Sequence, residues 1–436
     1  MRSNPGLLQD DNRALSSGMS RRDFLKTTAA ASMTLSGGCL FAGGDDKIRI
    51  GVIGCGDRGI YDSIKCVKSA KNIQITALAD LFPERVERFR EHFETRFPDA
   101  INLTPDACFS GFDAYRKLLA CDIDLVIMTQ PPHFRPSHFR AAIEAGKHVF
   151  MEKPVAVDPA GVRSVMETAQ LADQKKLTVV AGTQMRRLAP LEALMKRIHN
   201  GDLGSITSGQ SIRLGDGLMD WGPSTRGAAW SDMEWQIRRW LFHTWLSGDF
   251  IVEQHVHNLD LMNWALNAHP VRCTAIGGRQ SRTDGIYGDV YDHMAVEYVY
   301  PGDIRIHYNG AQMDRITTRN EQRLFGSKGT AYFDFGQAVI QGECPFEYQG
   351  EMPDPCLRQH ADQMDAIRNG AALNETVRVA ESTMTAIMGR MSAYTGKTLS
   401  WNWVMNASTL DFTLPEYAFG DLPEPSVSIP GKTPLL

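Results

Sequence analysis

No stretch of the chain reaches eighteen consecutive apolar residues, which excludes a hydropathic membrane span. No excess of basic residues offers a face to nucleic acid or anionic lipid: 46 Lys and Arg oppose 51 Asp and Glu, a formal net charge of −5. The eight cysteines, at positions 39, 55, 66, 108, 121, 273, 344 and 356, form no C-x-x-C and no clustered pair. That argues against a zinc knuckle, an iron–sulfur site or a thiol-redox motif, and most of them read as small buried apolar residues. Internal repeats are absent too, and so is low complexity beyond the N-terminal segment, which excludes fibres and solenoids. What remains is 436 residues, 43% hydrophobic and 22% charged, too long for one core. A folded, two-domain enzyme is the expectation.

The first 46 residues carry an address rather than a fold. Ser20-Arg-Arg-Asp-Phe-Leu-Lys26 precedes an uncharged, alanine-, threonine- and glycine-rich tract over 27–44. Paired Arg21 and Arg22 before such a tract predict a twin-arginine signal, hence a periplasmic or otherwise exported protein handled by the twin-arginine machinery. Met19 abuts the motif, so the start lies at Met1 or Met19, and Cys39 is a weak candidate for a lipid anchor.

Lys47-Ile-Arg-Ile-Gly-Val-Ile-Gly54 is an apolar run suited to a buried parallel strand, and it ends in Gly54-Cys-Gly56-Asp-Arg-Gly59. The first glycine permits the turn, the second lets backbone approach a pyrophosphate, and the third lets a helix over 60–70 pack on the strand. Free N–H groups at that helix start favour phosphate. A second strand, 74–80, ends in Asp80, placed to accept ribose hydroxyls and to repel a 2′-phosphate, which favours NAD over NADP. Helices over 83–97, 113–120, 136–146 and 160–175 alternate with strands over 124–129, 148–153 and 178–182. Repeated βα units predict a doubly wound, Rossmann-type parallel sheet with ligands at the carboxyl ends of its strands. Thr129-Gln-Pro-Pro-His133 and Glu152-Lys153-Pro154 fall at two such ends.

Lys147-His-Val-Phe-Met-Glu-Lys-Pro154, downstream of the glycine loop, resembles the signature of the glucose–fructose oxidoreductase/inositol dehydrogenase (Gfo/Idh/MocA) family. His138, Ala142, Gly146 and Lys147 fit the helix before it, and the resemblance runs over about residues 47–400. It is closest to exported bacterial members with Pro-Pro-His-Phe-Arg-Pro, here 131–136. The resemblance implies that Lys153 lies beside nicotinamide and substrate, placed to exchange a proton with a hydroxyl undergoing oxidation. Gly54, Gly56, Asp57, Arg58, Gly59, Asp80, Thr129, Pro131, His133, Glu152 and Lys153 are the expected cofactor-binding set.

Beyond Gly182 short alternating segments appear at 207–214, 271–278, 292–300, 304–311 and 329–335, with helices over 188–200, 258–267, 357–370 and 376–394. Pro301-Gly302-Asp303 reads as a hairpin turn. The fold class is therefore α/β: a Rossmann domain over 47–182, then an α/β domain over 183–413 with a large open, mostly antiparallel sheet, and a proline-rich tail over 414–436. Glu253, His257 and Asp260 share a face if their segment is helical; Glu253, His255 and His257 share one if it is extended. The family has Asp-x-x-x-His here, so the resemblance gives His257 as catalytic acid/base, with Glu253 in the place of the orienting aspartate and His255 where glycine is common. Glu-x-His-x-His is also zinc-ligand spacing, and helix capping is a third reading. Arg186 resembles a family arginine near substrate. Five tryptophans between 221 and 245, interleaved with Arg226, Arg238, Arg239 and His243, suit either a carbohydrate surface or a packed insertion.

The expected activity is that of an NAD-dependent oxidoreductase acting on a secondary alcohol of a sugar, cyclitol or glycoside. Lys153, His257 and Glu253 are its catalytic residues, Arg186, His255 and Trp240 touch substrate, and no metal takes part. Export in a folded state implies a nucleotide loaded beforehand and recycled within the site. An NAD-dependent glycoside hydrolase or lyase working through transient oxidation is the alternative. A non-catalytic sugar-binding protein is a further one. A homo-oligomer is expected from the family's open sheets.

Overall fold

The computed structural model describes residues 46–218 and 221–436. The paired arginines, Cys39 and the two candidate start methionines lie outside the described residues.

The first sheet has six parallel strands: β1 (Ile48–Ile53), β2 (Ile73–Asp80), β3 (Cys108–Ser110), β4 (Leu125–Met128), β5 (His148–Met151) and β6 (Val179–Ala181), ordered β3-β2-β1-β4-β5-β6. The order reverses between β1 and β4, which places a crevice at the carboxyl ends of those strands. Strands β1, β4 and β5 are apolar almost throughout because helices cover both faces of the sheet. The helix Asp57–Ser69 begins three residues earlier than expected, so Gly59 lies in its first turn. A Cβ at Gly59 would stand 2.0 Å from Gly54 O, the close helix-on-strand approach that only glycine allows.

The second sheet has nine strands: β7 (Ile206–Gly215), β8 (Arg272–Gly278), β9 (His293–Tyr300), β10 (Ile304–Gln312), β11 (Arg319–Gly326), β12 (Gly329–Phe333), β13 (Ala338–Gly342), β14 (Phe346–Glu347) and β15 (Leu399–Ser400). Their order is β14-β13-β12-β11-β7-β10-β9-β8-β15, antiparallel except where β10 runs parallel to β7. The expected hairpin at 301–303 joins β9 to β10. One face is covered by the helices Val256–Leu266 and Thr376–Thr395. The two halves share an apolar core: Phe139, Val165, Leu191, Ile251, Tyr298 and Ile387 belong to one cluster. Each such enclosed side chain contributes about 1.5–3 kcal/mol.

The chain does not divide cleanly near residue 182. The helix Pro355–Asn369 returns to pack on Asp57–Ser69, and Glu375 caps the end of β6 by accepting from Ala181 N at 2.9 Å. The tail crosses back as well, with Tyr417 bonded to His133 and Phe419 stacked near Phe82.

Candidate active site

A cleft of about 460 Å³ opens at the crevice of the first sheet. Gly54, Gly56, Asp57, Arg58, Gly59, Asp80, Thr129 and Pro131 all line it. Gly54 adopts φ +94°, and a Cβ there would meet Gln130 N at 2.6 Å. The Thr129 hydroxyl donates to Gly54 O at 2.6 Å and braces the turn. Ile60 N is the first helix donor to find a partner, on Gly56 O, so the N–H groups of 57–59 remain for a ligand. Asp80 closes the far wall. Its carboxylate accepts from Cys55 N at 2.7 Å and Phe82 N at 3.0 Å, which sets its orientation, while burial raises its pKa against the pull of Arg85. The volume lies within the range of small-molecule sites. Bare glycine turn, free N–H groups and a terminal carboxylate fit a dinucleotide.

The roof of the cleft comes from the other half of the chain. Trp221, Gly222, Ile237, Arg238 and Trp240 line it alongside the glycine loop. Arg238 lies 3.8 Å from the Phe82 ring centroid and pairs with Glu84 at 2.9 Å, bridging the halves. Arg239 is enclosed and holds Trp221 O and Pro223 O, anchoring the loop from beneath. Trp240, expected at substrate, is therefore a cofactor-cleft residue. The tryptophans do not form one carbohydrate platform: Trp245 is buried, bonded to Gln236 and packed edge-on against His133. The sequence offered residues 221–245 as a candidate cover for the nucleotide, and the roof draws on that segment's loop at 221–222, its helix Asp232–Arg238 and its turn Trp240–Phe242.

One strand over, β5 ends in Glu152 and Lys153. Glu152 is buried and accepts from Arg58, which also pairs with Asp62, so the glycine loop and the Glu-Lys-Pro segment are tied by one ionic network. Burial and the neighbouring Glu152 push the Asp62 carboxyl well up despite Arg58. Neither Glu152 nor Lys153 lines the cleft itself. Lys153 Nζ donates to Glu253 O at 2.6 Å and Glu253 Oε1 at 2.9 Å, both side chains being nearly enclosed.

The segment around Glu253 is helical, in two pieces, Phe250–Glu253 and Val256–Leu266. His257 is buried; burial, followed by the positive charges of Lys153 and Arg213, holds its pKa well below the ordinary imidazole value. Its ring is neutral at pH 7 and open to a proton. Its Nδ1 and Glu253 Oε2 are both buried without a partner among the described residues. Glu253 bonds Lys153 through Oε1 and makes no hydrogen bond to His257 among the described residues.

Three further expectations change. His255 is enclosed, its Nδ1 bonded to Tyr308 OH at 2.6 Å, which makes it a packing residue. Arg186 is gripped by Asp260 through Nε at 2.8 Å and Nη2 at 2.9 Å, and Asp260 also accepts from Ser382 at 2.7 Å. Burial would raise the Asp260 carboxyl, but Arg186 and Arg378 hold it down. Asp260 therefore serves this network and not the cluster of Glu253 and His257. His133, expected at the cofactor, points away, its Nε2 shared with Tyr417 OH at 2.6 Å. Among the described residues no set of three His, Cys, Asp or Glu is arranged to hold a metal ion, so the zinc reading of Glu253, His255 and His257 has no geometric support.

Comparison with known proteins agrees with this geometry. Residues 48–183 match the model of an oxidoreductase family with an NAD-binding Rossmann fold, and residues 191–332 match the Gfo/Idh/MocA C-terminal domain. The chain belongs to the Gfo/Idh/MocA oxidoreductase family. A glycosyl hydrolase family 109 protein of Streptomyces coelicolor is 28% identical over 39% of this chain, a match that spans about a third (34%) of that relative's length. The inositol 2-dehydrogenase of Acidothermus cellulolyticus is 24% identical over 77% of this chain and 85% of its own. The crystal structure of an aldose–aldose oxidoreductase from Caulobacter crescentus superposes with a TM-score of 0.64 at 17% identity, covering 81% of this chain and all (100%) of that one. The last likeness is one of fold. It is a Gfo/Idh/MocA fold whose cofactor cleft is roofed by a tryptophan segment.

Proposed function

We propose that this Gfo/Idh/MocA chain is an exported, NAD-dependent oxidoreductase acting on a secondary alcohol of a sugar, cyclitol or glycoside, with its cofactor held tightly and recycled. The observation that carries the reading is the convergence of Lys153, Glu253 and a neutral, buried His257 one strand from a glycine-turn cleft. When bound, the dinucleotide supplies the hydride acceptor. His257 takes the proton of the substrate hydroxyl as the carbon gives up hydride, because its imidazole is unprotonated at neutral pH. The Lys153 ammonium, held by Glu253, steadies the oxygen as charge develops on it. Glu253 keeps that ammonium aimed and thereby acts on substrate indirectly. The sugar-acting relatives support the substrate class, and the carboxylate of Asp80 supports NAD. Arg21 and Arg22 support export, and a tryptophan roof supports retention outside the cytoplasm.

The family 109 relative favours a second use of the same residues. Transient oxidation acidifies the neighbouring C–H, a leaving group is eliminated, water adds and the hydride returns. The test is native purification of the exported protein, extensive dialysis, denaturation, and mass and absorbance analysis of what is released. Near-stoichiometric NAD is expected; empty protein that works only with added NAD would overturn the recycling claim. Assay of net redox change then separates the two chemistries, since hydrolysis releases an aglycone with none.

A further inference from the structure

Arg213 stands out among the arginines near the reactive cluster. It lies on β7, on the face covered by helices, opposite Asn320 of β11 and Gly310 of β10. Its Nη1 donates to Gln254 O at 2.9 Å and Asn258 Oδ1 at 3.2 Å, and its Nη2 to Gln254 Oε1 at 3.2 Å. All three acceptors are neutral. The Nε–H and the second Nη2 hydrogen, the other fork of the planar guanidinium, have no partner among the described residues.

Other arginines around the site have their charge or their donors met. Arg186 has Asp260, and Arg58 has Glu152 and Asp62. Arg239 and Arg390 lack carboxylates but are fully enclosed and tie loops together through main-chain carbonyls. Arg213 is neither paired nor sealed, for its residue keeps intermediate exposure. Its charge acts on the cluster, depressing the imidazoles of His255 and His257 after burial has done so. The nearby anion Glu253 gives Oε1 to Lys153 and makes no hydrogen bond to Arg213. Gly310 keeps the neighbouring strand bare, since a Cβ there would collide with Tyr308 OH and His255 Nδ1. A partly buried cation with one fork open costs stability unless an anion completes it.

We propose that Arg213 receives a carboxylate of the substrate, which makes the substrate an acidic sugar. The proposal rests on the reading of this cluster as a sugar-oxidising site. A planar carboxylate matches the Nε–Nη2 fork in two parallel hydrogen bonds, whereas a neutral hydroxyl or amide uses it poorly.

The test is calorimetric binding to the cofactor-loaded protein, which needs no hydride transfer. The probes are glucuronate, galacturonate and N-acetylneuraminate, with glucuronamide as the neutral isostere and glucose 6-phosphate as the alternative anion. At least one acid is expected to bind about ten- to a hundredfold more tightly than its neutral counterpart. Arg213→Gln should bring that ratio to near one, and Arg213→Lys should retain part of it. A structural role alone would lower thermal stability without moving the ratio. Equal binding of acid and amide, a ratio unchanged in Arg213→Gln, tighter binding of the phosphate, or no binding of any acid at millimolar concentration would each overturn the proposal. Absorbance at the nicotinamide, followed in parallel, reports separately on the redox reading. Selective acid binding with no absorbance change would keep the Arg213 subsite and sink the oxidoreductase.

Discussion

The cofactor cleft and the cluster beside it are built on opposite terms. In the cleft the side chains that shape the glycine turn and its far wall are held: Thr129 is bonded to Gly54 O, and Asp80 accepts from two backbone N–H groups. In the cluster Glu253 Oε2 and His257 Nδ1 are buried and unpartnered, and Arg213 keeps a fork open. Buried polar atoms in folded proteins are nearly all satisfied, so unpartnered ones gathered in one place mark where a ligand completes the structure. The cleft is preorganised to hold; the cluster is left reactive.

The sharpest way to break this comparison is to remove the reactive groups alone. Lys153→Ala and His257→Ala should each lower turnover on the order of a hundred- to ten-thousandfold. Nucleotide recovered from the purified variants should match the wild type, because neither side chain lines the cleft. Glu253→Ala should be milder and should raise KM as well, since Lys153 would lose its anchor. If either variant came out empty of nucleotide, cleft and cluster would be one unit rather than two.

Acid should undo the nucleotide half. Burial pushes the His133 and His148 imidazoles down to about 4 and those of His138 and His360 to about 3. The folded chain therefore holds these rings neutral while the unfolded chain protonates them near their usual value, about 6.5. Unfolding takes up protons, so stability is complete above about pH 6.5, falls below it, and finishes falling near the folded values. Each ring contributes on the order of 1.4 kcal/mol per pH unit across that window. Thermal unfolding followed from pH 7.5 to 4.5 should show a steadily falling Tm. A flat profile would mean that these rings are not held neutral.

How much of this was legible follows from the range of each signal. The glycine loop, β1, β2 and Asp80 were readable because turn, strand and acid are local and evenly spaced. Short β3 and charged β11 were missed. The first has three residues; in the second Arg319, Glu321 and Arg323 face outward and mask the alternation of Gln322 and Leu324 within. The site was legible as residues but not as partnerships. Lys153 meets Glu253 from a hundred residues away, and Asp260 meets Arg186, Arg378 and Ser382 from two other elements. Arg213 carried no motif, and only the emptiness of one guanidinium fork reveals it.

Asp80 sharpens the comparison on the side of the cleft. Asp80→Asn should lose most of an NAD-over-NADP preference of roughly a hundredfold, because a neutral amide neither repels phosphate nor accepts as strongly. Cys55 N and Phe82 N bond different oxygens of Asp80, so the amide keeps one of these bonds and leaves the other donor unpaired, a cost of about 1–3 kcal/mol that a Tm measurement reads separately from cofactor preference. NADP recovered from natively purified wild-type protein would reverse the assignment and point to Arg85, which lines the same wall.

The smallest effect concerns the strap over the roof. Phe412 N donates to Asp158, Tyr417 OH is bonded to His133, and Phe419 packs on Phe82 and Phe112. The same stretch meets the roof helix Asp232–Arg238: Met233 N donates to Gly420 O, and Gln236 Nε2 to Leu422 O at 3.0 Å. The tail thus holds Ile237 and Arg238 over the cleft without lining it. Tyr417→Phe keeps the ring and its packing but removes two hydrogen bonds, the one shared with His133 Nε2 and the long one accepted from Leu414 N, leaving a buried His133 nitrogen unsatisfied at a cost of about 1 kcal/mol. If the bond to His133 helps hold the roof down, nucleotide should leave about fivefold faster on dialysis, with turnover in saturating NAD unchanged. The same variant measured for Tm separates the possibilities. A lower Tm with unaltered nucleotide release would make Tyr417 a packing residue of the first half, and the roof would then be held without it, by Arg238, Arg239 and the bonds to Gly420 and Leu422.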